Sequence, residues 1–398
     1  MLLRILVSLL LVFTAAPAAA DVRVSGSDIL LNGKPFQARG AGGEVRLDVL
    51  KQLGATVVRT YGDPPDAVLD QAQKLGLKVI VGFWLEHPRR GFDYDEPVQA
   101  NAQLERLAAF VKRYRDHPAL LMWGVGNEVE AELDDDSQVW PGIGQAARLV
   151  RRLDPHHPVM AVLAEAGDGK VAKLMRAAPD VDVLGVNSYG DALPSLPERV
   201  RAQGWNGPLV VTEMGAIGQW QAQRKPWGAM IEPSSTAKAS LLRSYLSALG
   251  PATQGQILFY WGQKQEVTPT WHSLLLPDGS WTETAEAMAQ AWGGRTPGGN
   301  RAPRIGRFDM EAGRAVLEAA DPDGDTLAVQ WSVMAESTDL RKGGDIEAVP
   351  PGHAEALLSS DHAGARLGTL PAGQYRLFVT VRDGKGAAAT ANLPFLVN

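Results

Sequence analysis

The chain has 398 residues, 45% hydrophobic and 21% charged, with 39 basic against 45 acidic residues and a formal net charge of −6. At roughly 150 residues per domain this length asks for two or three domains, and the composition is that of a folded globular protein. The acidic balance lacks the basic surplus on which nucleic-acid binding rests, and the absence of cysteine removes disulfides, thiolate nucleophiles and thiolate-held metals.

In chain order, Arg4 precedes an apolar run from Ile5 to Phe13, and Ala18-Ala19-Ala20 fits a small-residue cleavage site. Residues 1–20 therefore read as a secretory signal peptide. The apolar run is shorter than the ~20 residues of a spanning helix, and no later segment reaches that length. The expected mature protein starts near Asp21, is secreted or periplasmic, and has no integral membrane segment.

Eight short β-rich runs follow: Phe36 to Gly40, Thr56 to Tyr61, Lys78 to Leu85, Leu120 to Glu128, Pro158 to Leu163, Val183 to Tyr189, Leu209 to Glu213 and Gln256 to Trp261. Helical patterns such as Asp66 to Leu75 and Ala102 to Tyr114 lie between them. Strands alternating with helices call for parallel pairing, and eight units predict a (β/α)8 TIM barrel over residues 21–292. The rival, an open doubly wound sheet, lacks its Gly-rich phosphate loop after the first strand.

Residues 293–300 contain five glycines or prolines and no apolar side chain, the character of a linker. Beyond it, Ala315 to Ala320, Leu327 to Met334, Tyr375 to Arg382 and Ala387 to Val397 alternate as strands do, with Asp383-Gly384-Lys385-Gly386 as a hairpin turn. Residues 301–398 are thus expected to form a small all-β immunoglobulin-like or cadherin-like sandwich. Its Asp321-Pro322-Asp323-Gly324-Asp325 run has the carboxylates a calcium ion favours. It departs from the EF-hand pattern at Thr326 and Ser332 and reads as a solvated turn.

Active sites of such barrels lie at the carboxyl ends of the strands. The fourth run ends Met122-Trp123-Gly124-Val125-Gly126-Asn127-Glu128, and the seventh reads Leu209-Val210-Val211-Thr212-Glu213-Met214-Gly215. A carboxylate at the end of an apolar strand is costly to bury unless paired or used. Two of them facing across a mouth are what glycosidic cleavage needs: one protonates the leaving oxygen, and the other attacks the anomeric carbon or activates water.

Trp-Gly-x-Gly-Asn-Glu at the fourth run and Thr-Glu-x-Gly at the seventh resemble the acid/base and nucleophile motifs of clan A retaining glycoside hydrolases. The segment Asp116 to Trp123 is similar to the barrel of glycoside hydrolase family 2. Val58-Arg59-Thr60-Tyr61-Gly62-Asp63-Pro64 and Val125-Gly126-Asn127-Glu128-Val129 also resemble family 17, with some family 5 character. The resemblance implies that Glu128 is the acid/base and Glu213 the nucleophile, with carboxyl groups about 5 to 5.5 Å apart in a retaining enzyme. It further implies that Asn127 binds the sugar 2-hydroxyl, that Arg59 and Tyr189 hold the nucleophile, and that Trp261 floors the site.

Ten of the 11 tryptophans precede the linker, and tryptophan faces stack on sugars. Trp84, Trp220, Trp227 and Trp271 are candidate platforms, while Trp123 and Trp292 read as structural. Glu86, His87 and His272 are candidate cleft residues. No histidine pair has metal spacing, so neither a metal nor another cofactor is expected. The expected partner is a β-linked oligosaccharide or polysaccharide, foremost a glucan, cleaved by double displacement. Transglycosylation at the same site and carbohydrate binding without catalysis are the competing readings.

Overall fold

The computed structural model describes residues 21–398 apart from Asp63, Asp168, Ala312 and Lys342; the leader expected over residues 1–20 lies outside the described residues. The chain opens with a small antiparallel sheet of β1 (Val22–Ser25), β2 (Asp28–Leu31) and β3 (Lys34–Pro35). It then forms β4 (Ala38–Gly42), β5 (Val57–Arg59), β6 (Lys78–Phe83), β7 (Leu120–Val125), β8 (Val159–Ala164), β9 (Val183–Asn187), β10 (Leu209–Met214) and β11 (Gly255–Leu258). These eight close into a parallel barrel, β11 returning to pair with β4.

The helices outside it are α1 (Leu47–Gln52), α2 (Asp66–Leu75), α3 (Pro97–Tyr114), α4 (Val139–Leu153), α5 (Lys170–Ala177), α6 (Leu196–Ala202), α7 (Ser235–Leu249) and α8 (Glu283–Trp292). Strand residues sort by period two: Val58, Val79 and Val81 face the helices, while Val57 and Ile80 fill the barrel interior. That explains the unbroken apolar runs, since strands covered on both faces have no polar side to show. Val22 and Ile29 of the first sheet join the interior cluster and plug the amino end of the barrel. The site must therefore open at the carboxyl end.

Helix α2 has the expected bounds and stops at Gly76, whose φ of 66° suits glycine. Helix α3 starts five residues before the expected Ala102, because Glu96 accepts from the Val98 and Gln99 amides and Pro97 occupies the first turn.

After α8 the chain builds a sandwich. One sheet runs β12 (Arg304–Glu311), β13 (Arg314–Ala320), β16 (Gly364–Leu367), β15 (Leu357–Ser360); the other runs β14 (Ala328–Ala335), β17 (Gly373–Arg382), β18 (Ala388–Val397). Leu317, Trp331, Val333, Leu377 and Val379 fill the space between them. Three of these strands, β12, β15 and β16, escape the sequence pattern. Arg304-Ile305-Gly306-Arg307-Phe308-Asp309 and the exposed Ser359-Ser360 carry little apolar alternation. The Asp321 run is a hydrogen-bonded turn: Asp321 accepts from the Asp323 and Asp325 amides at 2.8 and 3.1 Å. Lys385 lies 2.6 Å from Asp325, in a carboxylate group that also includes Asp383.

Barrel and sandwich are joined by hydrogen bonds as well as by the connecting chain. Thr390 donates its amide to Ser235 of α7 at 2.9 Å, Ile305 donates to Thr236 at 3.0 Å, and Trp281 bridges to Ala387. Among the described residues, no helix is long and apolar enough to cross a membrane.

Candidate active site

The strand ends converge on one polar cluster at the barrel mouth. Arg59, the last residue of β5, is buried, and its Nη1 lies 3.2 Å from Glu213 Oε1 on β10 and 2.7 Å from the Thr212 carbonyl. Its Nη2 donates to Asn127 Oδ1 at 2.7 Å. Tyr189, just beyond β9, donates its hydroxyl to Glu213 Oε2 at 2.8 Å. Both nucleophile-candidate oxygens are therefore held by fixed donors, one of them cationic.

Glu128 follows β7 through a tight turn in which Gly126 has φ 73° and Glu128 itself φ 53°. The left-handed backbone is costly for a residue with a Cβ, and here it aims the carboxyl inward. His87 faces the Glu128 carbonyl at 3.0 Å. The Glu128 carboxyl accepts from Asn187 Nδ2 at 2.8 Å, and that same nitrogen lies 3.1 Å from Asn127 Oδ1. Asn187 in turn accepts from Thr212 Oγ1 at 2.8 Å. With its oxygen taken by Arg59 and Asn187, Asn127 has its NH2 to offer a ligand.

The two carboxyl groups differ in what surrounds them. Burial, and then the charge of Glu213, push the Glu128 carboxyl up to about 8. Burial also leaves the Glu213 carboxyl above its ordinary value, with Arg59 and Tyr189 working against that rise. Glu213 ionises first, because a cation and a hydroxyl stabilise its charge while Glu128 has only an amide. Of the two, Glu128 is therefore the group that keeps its proton longer. A proton donor on β7 and a carboxyl on β10 whose charge is stabilised by Arg59 and Tyr189 is the division of labour that double displacement requires.

Several expected site residues lie elsewhere. Trp261 is fully buried in the main barrel core, its amide paired with the Gly42 carbonyl. It cannot floor an open site. Phe259, two residues earlier, stands at the mouth, with Tyr61 at 6.1 Å and His272 at 5.6 Å edge-on to its ring. Glu86 pairs with Arg106 on α3 at 3.3 Å, so it faces the outer helix layer instead of the cleft. Trp271 is buried, with its indole N–H on the Ile217 carbonyl. Trp220 does stand out into solvent, 61% exposed and edge-on to Tyr189 at 5.4 Å. Trp84 lies under Arg90 at 5.3 Å.

Sequence reasoning missed Asn187, Tyr61, Lys264 and Glu266. Asn187 was readable as the polar end of an apolar strand, by the logic that finds Glu213. Lys264 and Glu266 sit 2.5 Å apart on the loop after β11; no periodicity marks them. Gln219 donates to Glu266 at 2.7 Å.

Residues 45–215 match the domain described as "Glycosyl hydrolases family 2, TIM barrel domain". Over those residues the barrel is similar to family 2 barrels. A beta-glucuronidase from Paenibacillus borealis is 28% identical over 239 residues, covering 49% of this chain and 38% of that protein. The Homo sapiens beta-glucuronidase is 27% identical over 197 residues, 44% and 28% of the two chains. A Bacteroides ovatus beta-galactosidase is 26% identical over 201 residues, 43% and 23%. This chain thus matches well under half the length of these relatives. Among solved structures, a Dictyoglomus thermophilum beta-D-glucuronidase aligns over 69% of this chain and 53% of its own, with TM-score 0.55 and 21% identity. A Bacteroides uniformis beta-glucuronidase aligns over 95% and 48%, with TM-score 0.55 and 15% identity; both share the barrel fold.

Proposed function

We propose that the protein is a secreted or periplasmic retaining β-glycosidase, with Glu128 as acid/base and Glu213 as nucleophile, acting on a neutral β-linked saccharide such as a glucan. The observation that carries the reading is the asymmetric environment of the two glutamates: Arg59 and Tyr189 on Glu213, and a proton held on Glu128 by burial. Glu128 protonates the departing oxygen as Glu213 attacks the anomeric carbon; Glu128 then takes a proton from the water that releases the sugar.

Neutral sugar is favoured by the pairing of the nearby cations. Arg59 is on Glu213, Lys264 on Glu266, and Arg89 and Arg90 share Asp345. A uronate carboxylate, as the names of the glucuronidase relatives suggest, would have to displace one of these partners, whereas a hydroxyl needs no free cation.

The test is a panel of p-nitrophenyl β-glycosides, with glucoside, galactoside, mannoside and glucuronide side by side, for the wild type and E213Q. Release of nitrophenol from the β-glucoside, lost in E213Q, is the expected result. Persistence of activity in E213Q sinks the site assignment, and a preference for the glucuronide sinks the neutral-sugar part alone.

A further inference from the structure

The sandwich sends one segment back to the barrel mouth. The described residues of 336–352, all but Lys342, lie between β14 and β15 and contain no strand, yet they are anchored at both rims. Asp345 accepts from Arg89 Nη2 at 2.8 Å and also from Arg90, both on the loop after β6, and the Gly343 carbonyl faces Arg89 at 3.5 Å. Two residues on, Glu347 is buried and accepts the Val267 amide at 2.7 Å, on the loop after β11. Its other oxygen takes the Arg341 amide at 3.1 Å, bracing the segment on itself. At Gly344 a Cβ would come within 3.0 Å of Lys264 Nζ.

These anchors reach the site through single side chains. Val267 adjoins Glu266, which holds Lys264 and Gln219; Lys264 Nζ lies 5.2 Å from the Phe259 ring and helps stabilise the charge of Glu213. On the other rim Arg90, pinned by Asp345, covers Trp84. In the barrel order, β4 and β5 lie between β11 and β6, so the segment bridges that whole arc of the mouth. The acid Glu128 rises from β7 and must face the leaving group. The departing part of the substrate then lies on its side, and the retained sugar lies toward β11, β4 and β5.

We propose that residues 336–352 of the sandwich form a wall of the sugar-binding mouth at the retained-sugar end, with Asp345 and Glu347 as positioning residues. The second domain is then part of the substrate site. A chain extending beyond the retained sugar meets this wall, so cleavage removes single terminal units. The inference rests on the glycosidase reading.

The experiment uses the full chain, wild type against Asp345→Ala combined with Glu347→Gln, and Asp345→Asn as the conservative variant. Substrates are p-nitrophenyl β-glucoside and β-linked gluco-tetraoses labelled at the reducing end, with products resolved by size. The wild type is expected to release monosaccharide only. The double variant, folded by its thermal midpoint, is expected to release disaccharide as well and to show KM for the aryl glucoside raised about tenfold, the effect of ~1.4 kcal/mol of lost positioning, with kcat within about twofold. D345N is expected to fall between. Disaccharide as a first product of the wild type, or unchanged products and KM in both variants, overturns the wall while leaving the glycosidase reading intact. A wild type that cleaves none of these substrates nor any other β-glycoside overturns both.

Discussion

The proton on Glu128 makes two signed predictions. Catalysis needs Glu128 protonated, so kcat/KM on an aryl β-glucoside should fall as pH rises through about 8. The Asn187 amide favours the ionised form of that carboxyl. Asn187→Ala should therefore move the alkaline limb up by about one unit, since a hydrogen bond to a charged group contributes ~1.5 kcal/mol; a limb that stays or moves down would show that Asn187 does not act on the acid. The same group sets a stability trend. An unfolded Glu128 ionises near 4.5 and the folded one near 8, so its contribution to stability is present below 4.5 and is lost as pH rises through 8. Glu128→Gln escapes that loss: its thermal midpoint should exceed the wild type's at pH 8.5 and match it near pH 4. These residues also show what a sequence can disclose. Glu128, Glu213, Arg59 and Tyr189 are legible because each ends an apolar run, where a polar side chain needs a reason. Trp261 misleads because it too ends such a run, and only its packing in the closed barrel shows that the side chain is buried in the core.

At the scale of elements, the barrel was legible because every strand is buried on both faces and every helix on one, so period and apolarity speak together. Helix α2 announces its end with Gly76, but the Glu96 cap that advances α3 lies outside the apolar pattern. The same close packing makes some strand glycines indispensable. A Cβ on Gly40 in β4 would lie 2.0 Å from the Val57 carbonyl oxygen of β5, its ladder partner. Neither strand can retreat, because β4 is also paired with β11 in a closed ring. Gly40→Ala should thus cost about 3 kcal/mol or more, read as a lowered denaturation midpoint or loss of soluble protein; a wild-type midpoint would mean the ring is softer than its pairing implies. The sandwich was half legible by comparison: its central strands alternate cleanly, whereas β12 and β15 are edge-like and polar and lean on neighbours for their conformation.

The whole molecule depends on a seam that no local pattern could reveal, because its members come from distant stretches of chain. Arg376 of β17 is almost wholly buried, pairs with Glu336 at 2.5 Å, and donates to Asn392 at 2.7 Å and to the Met230 carbonyl of the barrel at 2.9 Å. Asn392 passes the link on to Glu232, which also holds Lys238 of α7 and Thr268. Removing one member of such a buried network leaves the others desolvated and unpaired, a loss of ~3–5 kcal/mol. Arg376→Ala should therefore lower stability by that order and split a single calorimetric transition into two, as the sandwich loosens ahead of the barrel. Glu336, the partner released, is also the first residue of the segment that reaches the mouth. The same variant at a temperature where the barrel stays folded should then raise KM for the aryl glucoside with little change in kcat. A single transition with unaltered KM would show that the two domains hold together without this arginine.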